Sequence, residues 1–127
     1  MVFARLTFLV AGIYGLLALL PMYFLEGRIG RDSPPPVTHP EFFYGFLGVA
    51  VAWQIAFLVI AGDPVRFRPL MVPAVLEKAS FGLPAIALWL GGRLAASMLA
   101  AGLIDLTLGV LFVVAFLRTP ASRPGPS

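Results

Sequence analysis

The sequence contains no cysteine and a single histidine. The first absence excludes disulfides, thiol catalysis and cysteine-ligated metals, and leaves the redox compartment unreadable. The second leaves no histidine pair for a metal, so no metal site is expected. Charge is scarce as well. Only 12% of residues are charged, against about 25% in a soluble domain. With 60% hydrophobic residues and a mean hydropathy of +0.96, this excludes an ordinary soluble domain. The net charge is +3, but the arginines are scattered. A nucleic-acid partner needs a clustered basic face, so none is expected. No nucleophile triad, phosphate loop or dinucleotide motif is present. No cofactor is expected from the residues.

What the 127 residues do contain is four apolar runs, within the length of one domain. They predict an all-α integral membrane four-helix bundle with up-down topology. The helices fall at about 4–25, 41–61, 70–90 and 94–117, each long enough to cross a hydrocarbon core about 30 Å thick. Residues 1–118 form a single transmembrane domain, and 119–127, with three prolines, read as a disordered tail.

The first run follows Arg5 and extends from Leu6 to Leu20. Pro21-Met22-Tyr23-Phe24 comes next, with no small-x-small cleavage site, so an uncleaved helix is expected. Pro21 lies in its last turn, and Tyr23 and Phe24 suit the interfacial aromatic belt. Ala11 and Gly15, four apart, read as ordinary small residues of a membrane span. Residues 26–37 read as a loop, with Pro34-Pro35-Pro36 as a short polyproline strut. Thr38 and Glu41 then form a capping box at the second helix. His39 and Glu41 are acid–base candidates, although their plain reading is a helix start at an aqueous interface. Within the second span Gly48, Ala52 and Ala56 form a smooth stripe. Gln54 near mid-span needs a protein-facing partner, and interhelical bonding is the expectation.

The charges inside the last two spans organise the rest. Glu77 and Lys78 interrupt the run from Pro69 to Trp89, about 11 Å along a helix rising 1.5 Å per residue. An unpaired charge at such depth costs about 2.5–3.5 kcal/mol. Adjacent residues point about 100° apart on a helix, so each needs its own partner. Gly91-Gly92-Arg93 reads as a tight turn. Lys78 is 14 residues before Gly92, and Asp105 is 13 after it. In an antiparallel hairpin the two reach nearly the same depth, which predicts a Lys78–Asp105 pair. Ser97, Ala101, Asp105 and Gly109 are each four apart, on a small-residue face. Glu77 is left without an assigned partner. It completes an expected intramembrane polar network of Gln54, Glu77, Lys78 and Asp105.

Arg5, Arg66, Arg68, Arg118 and Arg123 fall on one side, and Arg28, Arg31 and Arg93 on the other. This bias places both termini in the cytoplasm. Arg66 and Arg68 at the membrane edge are candidates for lipid phosphate.

Four short spans, an Asp63-Pro64-x-Arg66-x-Arg68 loop after the second, and Lys78 early in the third resemble the DoxX-like group of small bacterial membrane proteins. Members usually carry an acidic residue in a glycine-rich second span, where Gln54 stands here. The resemblance implies a bacterial inner-membrane location and an accessory redox or quinone-linked role beside oxidoreductases; a quinone or a membrane lipid is then the candidate small-molecule partner. Three functions are then expected in order. The first is a non-enzymatic subunit that assembles with itself or a larger complex through small-residue faces. The second is a proton-coupled carrier of a small hydrophobic or cationic solute, using Glu77 and Asp105 and needing a dimer to enclose a path. The third is a lipid- or quinone-modifying enzyme using His39, Glu41, Glu77 and Asp105.

Overall fold

The computed structural model describes residues 2–32 and 38–121. Helix α1, Val2–Leu19, continues as a 3₁₀ turn over Leu20–Phe24. A short α2, Glu26–Asp32, precedes α3, Pro40–Gly62. A 3₁₀ turn at Arg68–Leu70 leads into α4, Met71–Leu90, and α5 is Ala96–Arg118. There is no strand among the described residues. Four spans of 23 residues result: Val2–Phe24, Pro40–Gly62, Arg68–Leu90 and Ala96–Arg118. Each reaches about 34 Å, enough to cross a bilayer core. Only 22–33% of each span is buried within the chain. The remaining apolar surface, with Leu17, Leu76 and Val110 among the exposed side chains, therefore faces lipid. The protein is an all-α, multi-pass four-helix membrane bundle.

Local chemistry explains the boundaries. Pro21 lacks the N–H an α-helix needs, and the chain tightens there into a 3₁₀ turn rather than running on to Leu25. Gly92 adopts φ +71°, a left-handed conformation that glycine takes without a Cβ clash. Arg93 N donates to Leu88 O at 2.8 Å, and Gly92 N to Trp89 O at 3.0 Å. This Schellman pair ends α4 and reverses the chain.

Several expectations are corrected. The segment read as a loop from Glu26 contains α2. It is tethered from outside: the Tyr44 hydroxyl donates to Glu26 Oε2 at 3.0 Å. The capping box at Thr38 is not formed. His39 is the N-cap residue, Pro40 opens the helix, and no side chain caps it. Glu41 instead faces the His39 ring, Nδ1 to Oε1 3.3 Å. The last helix begins at Ala96 rather than at Leu94. Thr119, assigned to a disordered tail, is buried, and its hydroxyl donates to Ala115 O at 2.6 Å. The proline strut at 34–36 and the tail from 122 onward lie outside the described residues.

The spans pack as two neighbouring hairpins, α1 with α3 and α4 with α5. Glycines set both approaches. A Cβ on Gly12 would meet Leu58 and the Gln54 carbonyl, and one on Gly102 would lie 2.6 Å from the Ala85 Cβ. The hairpins join through α1 and α5 at the end carrying the termini. There Phe8 stacks on Phe112 with ring centroids 4.2 Å apart, and Phe57 meets Phe112 edge-on at 5.0 Å. Ala4, Ala11, Ile60, Ala61, Met71, Ala74 and Ala115 complete this core. Towards the α2 end, α3 and α4 touch little. The space left between the hairpins positions the site.

Candidate functional site

Lys78 sits at the centre of the bundle and is 3% exposed. Its Nζ lies 3.4 Å from Asp105 Oδ1 and donates to it. Gly109 makes room for this side chain, since a Cβ there would lie 3.3 Å from the Lys78 Cβ. Nζ is also 5.1 Å from the Phe57 ring centroid, so the ring supplies a second attraction for the ammonium. The register counted from the Gly92 turn brings Lys78 and Asp105 together.

Glu77 differs from the sequence reading. Its Oε2 lies 3.7 Å from Lys78 Nζ. Backbone-adjacent residues do diverge at Cβ. The four-carbon lysine stem nevertheless lets its tip return to the neighbouring carboxylate. One cation therefore stands between two acids. The pairing with Glu77 is Coulombic only, because Glu77 Oε2 is buried and has no hydrogen-bond partner.

Gln54 is 2% exposed. Its amide does not bond across helices as expected. Nε2 donates to Ala50 O, one turn back on α3, at 2.9 Å. Oε1 is buried without a partner. The side chain lies flat on Gly15 of α1, where any Cβ would overlap it. Gly15 is thus a fitted contact rather than an incidental small residue.

These groups surround a cavity of about 170 Å³. Tyr14, Gly15 and Met22 line it from α1 and its extension, Gln54 from α3, Glu77, Lys78 and Phe81 from α4, and Asp105 from α5. All four spans contribute. A larger groove of about 680 Å³ lies between α3 and α4. It extends from Glu41 past Glu77 to Trp53 and Pro73. Cavity and groove share Phe46, Ala50, Glu77 and Phe81, so Glu77 lines both.

The remaining candidates lie elsewhere. His39 and Glu41 pair with each other at the surface, His39 stacking on Phe42. Glu41 lines the far end of the groove, whereas His39 lines neither space. The four residues of the enzyme reading are therefore not gathered at one centre. Arg68 is used internally: its Nε donates to Phe116 O at 3.1 Å, and its guanidinium lies 3.8 Å from that ring's centroid. It satisfies a carbonyl at the α5 C-terminus, where a cation is favourable. Arg66 stays exposed at the membrane edge, its guanidinium near the Phe67 ring. No group of three metal-ligating side chains occurs among the described residues.

The sequence reading missed the groove, the Phe57 ring beside Lys78 and the Gly82–Gly102 contact. Glycines at 82 and 102 were visible as small residues, but their mutual facing depends on the hairpin's rotation. The groove had no sequence signal at all.

The fold and the site together define a multi-pass membrane protein with a charged cluster at the junction of two helical hairpins. No family model, curated protein or solved structure matches the chain.

Proposed function

We propose that the protein is a proton-coupled membrane carrier of a small hydrophobic or cationic solute, with Glu77 and Asp105 as its exchange site. One observation carries this reading: two carboxylates share one ammonium in a cavity reached by all four spans. With every group ionised the cluster holds one excess negative charge. An interior of this kind disfavours uncompensated charge. A proton or a bound cation restores the balance, and Glu77, whose buried Oε2 has no hydrogen-bond partner and which lines the groove, is the group placed to exchange them.

The test is infrared difference spectroscopy of the full chain in lipid across a pH jump. A carboxyl C=O band that appears on acidification and is lost in Glu77→Gln is the expected result. If no carboxyl band titrates, or Glu77→Gln keeps it unchanged, the proton-coupled reading fails.

A second reading has its own support. Gly45, Gly48 and Ala52 leave an exposed, flat strip on α3, suited to a helix of another chain. This favours an accessory subunit that assembles with itself or a larger complex, the role the DoxX-like resemblance implies in a redox or quinone-linked system of the bacterial inner membrane. A self-associating strip also suits a carrier of four spans, which needs a second copy to enclose a path. Gly48→Leu separates the roles: it blocks cross-linking between copies and leaves the infrared band in place.

A further inference from the structure

We infer that the groove between α3 and α4 takes up a lipophilic organic cation from the lipid phase and brings its charge to Glu77. This rests on the exchange reading above and names its solute.

The groove selects by charge first. Its ionisable lining residues are Glu41 and Glu77, and no lysine or arginine lines it. An anion is therefore repelled along the whole length. Small inorganic cations are disfavoured for a different reason. They need several oxygen ligands to replace their water, and the wall here is mostly aromatic and aliphatic. Phe42, Phe46, Trp53 and Phe81 line the same groove as the two carboxylates. Ring faces attract a desolvated ammonium or phosphonium, while the apolar wall accepts its organic substituents. A neutral apolar molecule gains nothing from either carboxylate.

Size and access agree with this. A volume of about 680 Å³ lies within the range of small-molecule sites. Val49 and Leu76 line the groove and are 63% and 68% exposed, so it opens sideways to lipid. Glu41 stands about two to two and a half helical turns above the Val49–Ala50 level on α3, so a cation meets one carboxylate at the α2 end and the next deeper in.

An independent feature marks the inner end as a binding place. Gln54 is almost fully buried, lines the adjoining cavity, and its Oε1 has no hydrogen-bond partner. This unfilled acceptor lies against Gly15, in the wall of the cavity that Glu77 also lines, where a donor on the solute would satisfy it. The groups around Glu77 are Tyr14 from α1, Gln54 from α3, Lys78 from α4 and Asp105 from α5. Lys78 is already engaged by Asp105. When the cation arrives, the Glu77 O–H bond breaks, the proton leaves to water, and the solute's positive charge replaces it one for one.

The probe is tetraphenylphosphonium, added to the full chain in phosphatidylcholine nanodiscs. The two tryptophans are Trp53 and Trp89. In a Trp89→Phe background, fluorescence therefore reports on the groove alone. Tetraphenylsilane, uncharged and of the same shape, is the control. Saturable quenching of Trp53 by the phosphonium is expected, with at least a tenfold loss of affinity in Glu77→Gln and recovery in Glu77→Asp. Gly45→Leu narrows the groove where nothing lies within 4 Å of the added Cβ, and it should weaken binding about as much without altering any charge or adding a fluorophore. Equal quenching by tetraphenylsilane overturns the inference, leaving an apolar groove only. Phosphonium binding that needs Glu77 but ignores Gly45→Leu and does not quench Trp53 overturns the groove as the route. Absence of saturable binding while the infrared band still titrates overturns the cation and spares the proton-coupled reading. Saturable quenching without a titrating band removes the proton and keeps the cation groove.

Discussion

The half of the bundle nearest the termini and the half nearest α2 are built from the same four helices, yet they meet differently. In the first half Phe8, Phe57 and Phe112 interlock across three helices, and alanines fill the spaces between them. In the second half each hairpin is tight within itself, through Gly15 on one side and Gly82 and Gly102 on the other. The hairpins there do not close on each other. Large aromatics join helices at a distance, whereas glycines draw a single pair of backbones together. A bundle with aromatics at one end and glycines at the other is therefore held shut at one end and left open at the other. The cluster of Glu77, Lys78 and Asp105 lies at the boundary, close enough to the packed half for Phe57 to touch Lys78 and open enough for Glu77 to line the groove.

The strongest way to break this contrast is at the boundary itself. Lys78→Met leaves two acids without their cation, and removing one partner from a buried pair costs about 3–5 kcal/mol. Thermal unfolding in mild detergent should show that loss. Adding Asp105→Leu should recover part of it. A double mutant as unstable as the single one would mean that Lys78 and Asp105 do not compensate each other.

A smaller effect compares the halves directly. Phe112→Ala should cost on the order of 2 kcal/mol, because lipid replaces the hydrophobic share of the core and leaves the packing share. Phe46→Ala, on the groove wall and already half-exposed, should stay within about 0.5 kcal/mol, as surface changes do. The same unfolding measurement reports both. Equal losses would show that the α2 half is as closed as the other.

The smallest expected change lies at the membrane edge. Arg68→Ala removes a cation and a donor from the α5 C-terminus, worth about 1 kcal/mol. Hydrogen exchange confined to the last turn of α5 is the readout, and unchanged protection there would count against the cap.

Parts of this arrangement could be read from residue order alone. Four runs of apolar residues define four spans because a bilayer leaves few alternatives. The Lys78–Asp105 contact followed from counting, since both helices rise equally from one glycine turn. Glu77 escaped the same counting. The rule for adjacent residues describes Cβ directions and not the reach of a lysine tip. Helix α2 escaped because seven residues with two glycines carry little helical preference of their own. Its bond to Tyr44 belongs to the assembled fold. The Thr38–Glu41 box matched a pattern, but Pro40 placed the helix start one residue later and left His39 facing Glu41. The groove depends on how far two hairpins splay, and no single segment encodes that angle.

The pairing of Lys78 with Asp105 also bears on how the chain is made. The two residues are 27 positions apart, and synthesis runs from the first towards the second. When α4 has been translated, Lys78 has the adjacent Glu77 and the Phe57 ring of α3 beside it, and Asp105 has yet to follow. An intermediate that holds α4 across the bilayer without α5 leaves the Lys78 ammonium without the hydrogen bond that Asp105 accepts in the finished hairpin. The third and fourth spans therefore gain by entering lipid as one unit, with the Gly92 reversal as the hinge that lets the fourth follow the third.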